Sequence, residues 1–346
     1  MKKLKKALKF VGITVPLLVA AGMVFPTWTP AIKGKNSISI LEEVELGGAK
    51  QEIMIRGRDS SNPVIIYVHG GPGSPEAPYL TKYQDLLEED FTVVNYDERG
   101  SGKSFHFFED YSELTTELLV EDLLELTDYI SRRFGKEKVI LMGHSFGTYI
   151  AMQAVAREPE KYAAYIGVGQ MADIRTNNQE SLAYCLKMAE QAGNARDVEQ
   201  MKELSDRILS GDILMPAKYI RKYKGSSRLI DYYRDYLVGF LKNPEYNLLD
   251  TVRYFSGMYV TMKAIQYDPL EKPLADLVTS AAVPCYFVMG QYDYMTSVRA
   301  ARDYFDMLDA EVKEFILYED SAHFPHFEEE ERFARWMAEK FAGKTE

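Results

Sequence analysis

The chain has few of the residues from which metal centres, disulfide frameworks and nucleic-acid interfaces are built. Its 346 residues include only two cysteines and five histidines, and none has metal-ligand spacing. The 41 lysines and arginines are outnumbered by 52 aspartates and glutamates, which gives a net charge of −11. Because phosphate binding needs clustered cations, we expect no nucleic-acid partner. We also predict no metal and no cofactor. A disulfide between Cys185 and Cys285 stays open, since their separation in space decides it.

The most informative motif that is present is a serine flanked by glycines. Gly143-His144-Ser145-Phe146-Gly147 lies between the apolar run 139–142 and the helix-prone stretch 148–157. Glycines two positions either side of a serine allow a tight strand-to-helix turn, the nucleophile elbow, which presents the serine hydroxyl at the edge of a sheet. We therefore predict that Ser145 is a nucleophile.

A glycine-rich loop follows an earlier strand-like run. Residues 69–73, His-Gly-Gly-Pro-Gly, come directly after the β-prone residues 64–68. Glycines let main-chain N–H groups approach a ligand without interference from side chains, as an oxyanion hole requires. We predict that the N–H groups of Gly71 and Phe146 are the two oxyanion donors. The alternative is an ordinary turn built from glycine and proline.

Three motifs in this order resemble the prolyl aminopeptidase (proline iminopeptidase) branch of the α/β-hydrolases. They are residues 69–73, residues 97–104 (Asp-Glu-Arg-Gly-Ser-Gly-Lys-Ser) and residues 143–147, and the likeness covers roughly residues 37–340. The resemblance implies an α/β-hydrolase fold and serine chemistry. It also implies that four residues support the site without taking part in the reaction: His69, Gly70, Asp97 and Arg99.

A serine nucleophile of this fold needs an acid and then a histidine further along the chain. Asp293 follows the apolar run 285–289, which puts a carboxylate just past the end of a predicted strand. The resemblance implies the same residue as the acid. The alternative is a turn aspartate or the N-cap of the helix that begins near Val298.

The base is narrowed by elimination among the five histidines. His69 lies in the glycine-rich loop, His144 is inside the elbow, and His106 precedes the serine. That leaves His323 and His326, which share a late loop. The resemblance implies that His323 is the base, and His326 is then expected to be a surface histidine without a role.

The N-terminus is basic and then apolar. Five lysines within the first nine residues precede residues 10–25, which carry no charge. A basic segment, an apolar segment and small residues near Ala20 to Gly22 are typical of a secretory signal. The apolar stretch is slightly shorter than the ~20 residues that span a bilayer. We expect a cleaved signal or an uncleaved membrane anchor, and a catalytic domain that is extracytoplasmic, either membrane-anchored or secreted.

The rest of the chain alternates strand-like and helical segments. This order predicts the α/β-hydrolase fold, a mostly parallel sheet flanked by helices, after an opening hairpin at 37–46 and 50–56. From about residue 171 to residue 268 the strand-like runs vanish and helical periodicity dominates. We predict four segments: a signal or anchor at 1–30, the first part of the core at 31–170, an inserted helical cap at 171–269, and the second part of the core at 270–346.

These features predict a hydrolase that works through an acyl-enzyme, with Ser145, Asp293 and His323 as its triad. The resemblance implies release of N-terminal proline or a similar residue from short peptides. Family members commonly have Gly-Gly-Ser-Trp-Gly at the elbow, whereas this chain has His144 and Phe146 in those places. The alternative is a carboxylesterase or amidase for a small apolar acyl group, and a more remote one is a non-catalytic binding protein. The expected partner is a small peptide or acyl substrate, and the oligomeric state is left open.

An aminopeptidase must also hold the ammonium group of its substrate. Five acidic residues in the predicted cap are available: Glu180, Asp231, Asp235, Glu245 and Asp250. Most of the cap's tyrosines are expected to pack between helices with their hydroxyls in water.

Overall fold

The computed structural model describes residues 2–343, with side chains from residue 14 onward. Met1 and residues 344–346, the ends of the first and last predicted segments, lie outside the described residues, as do the side chains of the N-terminal lysines. The eight strands are β1 (Ile38–Leu46), β2 (Ala49–Gly57), β3 (Val64–Val68), β4 (Thr92–Tyr96), β5 (Val139–His144), β6 (Tyr162–Val168), β7 (Cys285–Gly290) and β8 (Lys313–Tyr318).

The strands form one sheet in the order β1-β2-β4-β3-β5-β6-β7-β8. The predicted hairpin is present as β1 and β2, and β2 also pairs antiparallel with β4. All the remaining pairs are parallel. The mostly parallel sheet that the sequence predicts is therefore confirmed.

Helices cover both faces of this sheet. In chain order they are α1 (Lys2–Val24), α2 (Ala77–Leu80), α3 (Leu87–Asp90), α4 (Thr116–Phe134), α5 (Phe146–Arg157), α6 (Ile174–Gln191), α7 (Ala195–Ser210), α8 (Ala217–Lys222), α9 (Tyr232–Lys242), α10 (Leu248–Ile265), α11 (Asp268–Glu271), α12 (Leu274–Leu277), α13 (Val298–Met307), α14 (Pro325–Glu328) and α15 (Glu330–Phe341).

The central strands are apolar on both faces because both faces are covered. All residues of β3, β4 and β5 are buried. Successive side chains of a strand point to opposite faces, so Ile66 and Leu141 belong to one core cluster while Ile65 and Ile140 belong to the other. Near-continuous apolar runs are what a doubly covered parallel sheet requires.

Helix α4 shows how local sequence sets the ends of an element that packs on the sheet. The hydroxyl of Thr115 accepts a hydrogen bond from the N–H of Leu118 at the start of the helix, and Gly135 ends it in the left-handed conformation. Between these caps, buried residues such as Leu119, Leu123 and Leu126 face the core. The capping residues and the spacing of the apolar residues of α4 thus both match its observed ends and its buried face.

Residues 169–284, all of which the structure describes, form seven helices, α6 to α12, and no strand. This segment leaves the core after β6 and returns at β7. Helix α10 lies against loops of the core, since a Cβ at Gly73 would meet the side chain of Thr261 and a Cβ at Gly257 would meet the carbonyl of Gly100. The predicted cap boundaries at 170/171 and 269/270 stay predictions.

The N-terminal helix and the two cysteines can be compared with the sequence expectations. Among the described residues, no helix combines the length and the apolar character needed to cross a membrane. Helix α1 contains Pro16 and contacts α10. Cys185 and Cys285 are both free and buried, so the structure contains no bond between them.

Candidate active site

Ser145 stands at a sharp turn between β5 and α5. Its backbone has φ 53° and ψ −123°, a conformation that costs energy for any residue with a side chain. A Cβ at Gly147 would overlap the carbonyl oxygens of Val68 and His69, and a Cβ at Gly143 would overlap the main chain of Gly147. Both glycines of the motif are therefore required by close backbone approach, as a nucleophile elbow demands.

The predicted acid, Asp293, and the predicted base, His323, lie together beyond the ends of β7 and β8. His323 Nδ1 lies 2.8 Å from Asp293 Oδ2, and both side chains are buried. Asp293 follows β7, and its Oδ1 accepts hydrogen bonds from the N–H groups of Met295 and Thr296, each at 2.8 Å. The hydroxyl of Thr296 donates to Oδ2 at 2.7 Å. These donors hold the carboxylate in one orientation toward the imidazole.

The side chain of His144 connects the serine turn to the histidine loop. The ring of His144 lies 4.7 Å from the ring of His323, centroid to centroid. His144 Nε2 donates to the main-chain carbonyl of His323 at 3.1 Å, because a carbonyl oxygen only accepts. This bond fixes the residue that precedes Ser145 to the loop that carries His323.

The glycine-rich loop lies against the serine turn. A Cβ at Gly70 would come within 3.0 Å of the Cβ of Ser145, so only glycine allows this approach. Gly71 follows with φ 128°. Phe146 provides the first N–H of α5, immediately after the serine. The two predicted oxyanion donors thus belong to segments that flank Ser145 on either side, and their role stays a prediction.

His69, one of the four predicted supporting residues, ties two neighbouring loops together. His69 Nε2 accepts a hydrogen bond from the N–H of Glu98 at 3.2 Å, and His69 Nδ1 bonds the carbonyl of Gly70 at 2.8 Å. Burial lowers the pKa of His69 to about 4, so this imidazole is neutral at pH 7. The bond to Glu98 fixes the glycine-rich loop to the loop that follows β4.

Asp97 and Arg99 form hydrogen bonds that fix the loop after β4 to different neighbours. Asp97 Oδ2 accepts from the N–H of Lys103 at 2.7 Å and from the hydroxyl of Tyr246. Arg99 bonds both oxygens of Asp122 on α4, at 2.7 and 2.8 Å. The hydrogen bonds of Arg99 therefore reach α4 and the β1–β2 turn rather than the serine.

Behind His144 lies a buried polar network that the sequence did not reveal. His144 Nδ1 is 2.7 Å from Glu76 Oε1, and the hydroxyl of Tyr67 donates to Glu76 Oε2. His326 Nε2 lies 3.1 Å from the same hydroxyl. The bond between Glu76 and His144 joins the serine turn to Tyr67 and, through it, to His326.

The expectation that His326 is a surface histidine was wrong. Its side chain is buried on α14, and burial lowers its pKa well below the usual value. The histidine is therefore neutral, and its Nδ1 has no hydrogen-bond partner in the described structure. Only the fold brings it to Tyr67, since 259 residues separate the two along the chain.

The same cluster is the place where the described residues could hold a metal ion. Ligand atoms of Glu76, His144 and His326 all lie within 4.8 Å of one another. Every ligand atom of the three residues except His326 Nδ1 already forms a hydrogen bond, which a metal would have to break. The donor set therefore fits a hydrogen-bonded network better than an ion site.

The five cap carboxylates have different surroundings. Four of them have partners that explain their positions: Glu180 pairs with Arg299, Asp231 caps α9, Asp235 pairs with Lys82, and Asp250 forms a capping box with Asn247. Glu245 is fully buried. Its Oε1 accepts from the hydroxyl of Thr29 at 3.0 Å, and its Oε2 has no partner among the described residues.

Many cap tyrosines are also more deeply placed than expected. Tyr219, Tyr223, Tyr246 and Tyr254 are buried, and the hydroxyl of Tyr246 bonds Asp97 instead of water. The expectation of solvated hydroxyls was wrong for these residues. The physical reason is that polar partners are present inside the protein: Asp97 of the loop after β4 accepts from Tyr246, while Gln200 and Asp197 on α7 accept from Tyr219 and Tyr223.

Comparison with known proteins agrees with this geometry. The profile of the family described as "Serine aminopeptidase, S33" matches residues 59–330. The chain belongs to this family. As an S33 serine aminopeptidase family member with an eight-stranded, mostly parallel sheet, it is a hydrolase of the α/β-hydrolase fold.

Relatives of this S33 chain carry related names. A probable aminopeptidase, YbaC, of Bacillus subtilis is 28% identical over 327 residues, covering 89% of this chain and 98% of that protein. A proline iminopeptidase of Saccharolobus solfataricus is 23% identical over 313 residues, covering 81% of this chain and 84% of that protein. The solved proline iminopeptidase of Mycobacterium smegmatis shares the fold, with a TM-score of 0.61 and 17% identity over 87% of this chain and 97% of that one.

The surroundings of Asp97 predict an unusual dependence of stability on pH. Burial raises the pKa of Asp97 from 3.8 to about 7. Between these two values the folded state holds a proton that the unfolded state has lost, so the free energy of unfolding falls as pH rises from about 4 to 7 and then levels off. Asp97→Asn removes this pH-dependent loss of stability, because an amide oxygen can accept both hydrogen bonds that Oδ2 accepts and does not ionise.

We expect the stability of Asp97→Asn relative to the wild type to increase between pH 4 and pH 8 by an amount on the order of 4 kcal/mol. Urea unfolding across this range measures it. The exposed Asp90→Asn serves as a control and should follow the wild type at every pH. A constant difference between Asp97→Asn and the wild type would contradict the raised pKa.

Proposed function

We propose that this protein is a serine peptidase of the aminopeptidase type, which works through an acyl-enzyme on Ser145. The observation that carries the proposal is the hydrogen-bonded Asp293–His323 pair beside the strained serine turn. Strain at a residue with φ > 0 persists only where the surroundings enforce it, and it is concentrated at functional sites.

In the proposed mechanism, His323 takes the proton of Ser145 as the hydroxyl oxygen attacks the substrate carbonyl. Asp293 fixes the imidazole through Nδ1, leaves Nε2 facing the reaction, and stabilises the imidazolium that forms. The N–H groups of Gly71 and Phe146 bind the oxyanion. The protonated His323 then gives its proton to the leaving amine, and water releases the acyl group by the same steps in reverse order.

The triad assignment predicts how three single substitutions behave. Ser145→Ala, His323→Ala and Asp293→Asn should each lower kcat by orders of magnitude, because each removes part of one proton-transfer unit. The triple variant should be little slower than Ser145→Ala alone. Steady-state kinetics measures these effects, and near-ultraviolet circular dichroism checks that each variant is folded.

The neighbouring histidine is the matched control. His326→Gln replaces a buried histidine that lies outside the proposed triad. It should keep a larger fraction of kcat than His323→Gln. The opposite ranking, in folded variants, would transfer the role of base to His326.

The buried network behind His144 is proposed to position the base. Glu76→Ala leaves His144 Nδ1 and the Tyr67 hydroxyl without their partner, so the loop that carries His323 loses its anchor. Because a shift of about 1 Å at a reacting group can cost ~100-fold in rate, we expect kcat to fall by roughly 10- to 100-fold with KM little changed.

A conservative variant distinguishes positioning from a role for the negative charge. Glu76→Gln can donate to His144 Nδ1 from its amide nitrogen and accept from Tyr67 at its oxygen. It should therefore recover most of the kcat that Glu76→Ala loses. If Glu76→Ala keeps kcat within about two-fold, the network has no positioning role.

The proposed substrate is a short peptide with a free N-terminal proline or a similar residue. Support comes from the aminopeptidase and proline iminopeptidase names of relatives aligned over most of the chain, and from the three ordered motifs. An esterase or amidase for an apolar acyl group is the second candidate. It is favoured by the aromatic contact beside the base, where Tyr232 of the cap stacks on Phe324 at 4.2 Å.

Substrate selectivity gives a direct test. A free ammonium in a partly desolvated pocket needs a carboxylate partner, and Glu245 is the buried cap acid with an unused oxygen. N-acetylation of a proline amide substrate should abolish most of its hydrolysis. Glu245→Gln should lower kcat/KM for the free proline amide at least ten-fold more than for a short acyl ester.

Asp231→Asn is the control for this comparison, since Asp231 is exposed and caps α9. It should affect amide and ester hydrolysis equally. Equal cleavage of free and N-acetylated substrates would reject the aminopeptidase proposal and favour the esterase or amidase, with the triad unchanged.

We also propose an extracytoplasmic location, membrane-anchored or secreted. The support is the basic and then apolar N-terminal segment. Cell fractionation followed by N-terminal sequencing should find the protein outside the cytoplasm, with a mature start near Gly22 if the segment is cleaved. Full-length protein in the soluble cytoplasmic fraction would refute the location.

A further inference from the structure

A short segment of the cap is hydrogen-bonded to both loops of the proposed acid–base pair. It consists of residues 225–229, between α8 and α9. The carbonyl of Gly225 accepts from the N–H of Tyr294 at 2.9 Å, and the carbonyl of Ser226 accepts from the N–H of His323 at 3.0 Å. Two consecutive carbonyls of the cap therefore bond the residue that follows the proposed acid and the proposed base itself.

Glu328, the last residue of α14, fastens the same segment to the loop of the base a second time. Its Oε1 accepts from the N–H of Arg228 at 2.6 Å, and its Oε2 accepts from the N–H of Ala322 at 2.8 Å. Burial raises the pKa of Glu328, and the two N–H donors oppose that rise because they favour the ionised form. One side chain thus joins the main chain of the cap to the residue before His323.

The 225–229 segment also packs closely on the loop of the acid. A Cβ at Gly225 would come within 3.0 Å of the Cβ of Tyr294 and within 3.1 Å of the ring of Tyr184. The rings of these two tyrosines stack with their centroids 3.7 Å apart, which joins α6 of the cap to the same loop. The approach at Gly225 therefore leaves no room for a side chain unless the loop of the acid moves.

The main chain of His323 is held by both the core and the cap. Its carbonyl accepts from His144 Nε2 at 3.1 Å, whereas its N–H donates to Ser226 in the cap. Glu328 fixes the preceding N–H relative to the same cap segment. Because the rotamers open to a side chain depend on its own backbone angles, the place of the imidazole depends on the cap as well as on the core.

We propose that Glu328 is a positioning residue that couples the cap to the alignment of the Asp293–His323 pair through residues 225–229. A displacement of this segment shifts the hydrogen-bond acceptors of Tyr294 and His323, so it changes the geometry of the pair. The seating of the cap then controls turnover as well as the affinity for substrate. This inference rests on the proposed triad, and it holds for a peptide and for an ester substrate alike.

Labelling with a fluorophosphonate tests the inference without a choice of natural substrate. The oxygen of Ser145 attacks phosphorus, fluoride leaves, and His323 accepts the serine proton, so the second-order rate constant reports the alignment of the pair. The kcat for a short acyl ester is measured in parallel. Labelling of Ser145→Ala as fast as the wild type would refute the proposed nucleophile, and the inference would fall with it.

Glu328→Ala leaves the N–H groups of Arg228 and Ala322 without their acceptor. Because a displacement of about 1 Å at a reacting group can cost ~100-fold in rate, we expect kcat and the labelling rate to fall together by roughly 10- to 100-fold, with KM within about three-fold. Glu331→Ala, at an exposed position of α15, is the matched control and should equal the wild type in both rates. Unchanged rates in folded Glu328→Ala, while Ser145→Ala is unreactive, would overturn this inference alone.

Glu328→Gln separates positioning from a contribution to stability only. Its amide oxygen can accept from one of the two N–H groups, whereas its NH₂ group faces the other, so both rates should lie between those of the wild type and Glu328→Ala. Thermal unfolding and near-ultraviolet circular dichroism check that each variant is folded. A folded Glu328→Gln with wild-type rates, beside an unfolded Glu328→Ala, would show that Glu328 serves stability alone and would refute the positioning role.

Gly225→Ala tests whether the coupling runs through the cap. The added methyl group displaces residues 225–229 from Tyr294, so we expect slower labelling in this variant as well. If both substitutions act through the same segment, the double variant should label within about three-fold of the slower single variant, because effects at coupled positions are not additive. Losses that multiply would show that Glu328 acts on the loop of His323 independently of the cap, and they would overturn the coupling.

Discussion

The close approach of the serine turn to the end of β3 is the constraint on which the rest of the site depends. Gly147 lies so near the carbonyl oxygens of Val68 and His69 that a methyl group would not fit between them. This contact sets the distance between α5 and the glycine-rich loop, and therefore the position of both predicted oxyanion donors relative to Ser145. The same turn requires Ser145 to adopt a positive φ, which costs conformational energy.

Buried polar groups hold the loops around this turn, and each one needs a partner because burial removes water. Asp293 has three donors, and His144 links Glu76 to the main chain of His323. Burial also favours the neutral form of two of these groups: it lowers the pKa of His69 and raises that of Asp97. The site is thus preorganised by hydrogen bonds to the backbone more than by ion pairs.

The sequence predicted the mostly parallel sheet. It also predicted a shared site for Ser145, Asp293 and His323, because each follows a strand and parallel strands end at one edge, and the catalytic roles of the three stay a prediction. It could not predict Glu76 or the burial of His326. Their neighbours come from distant parts of the chain, and neither residue lies in a motif with a known geometry. The same holds for Tyr246, whose hydroxyl meets Asp97 across 149 residues. Local sequence patterns indicate the order of strands and helices and the residues at turns. Hydrogen-bond networks between side chains of different loops depend on how the cap packs on the core, which local patterns do not show.

Helix α10 shows why the cap has to be considered together with the core. Its inner face is shaped by two close approaches: Gly73 of the glycine-rich loop leaves room for Thr261, and Gly257 of the helix leaves room for the carbonyl of Gly100. On its outer side, Val252, Phe255 and Tyr259 stay 42–69% exposed, and packing among the described residues does not cover them. A helix that was selected only to cover the site would carry polar residues on that outer face. The two sides of α10 thus differ: the inner side fixes the helix against the glycine-rich loop through Thr261, and the outer side is apolar without being buried.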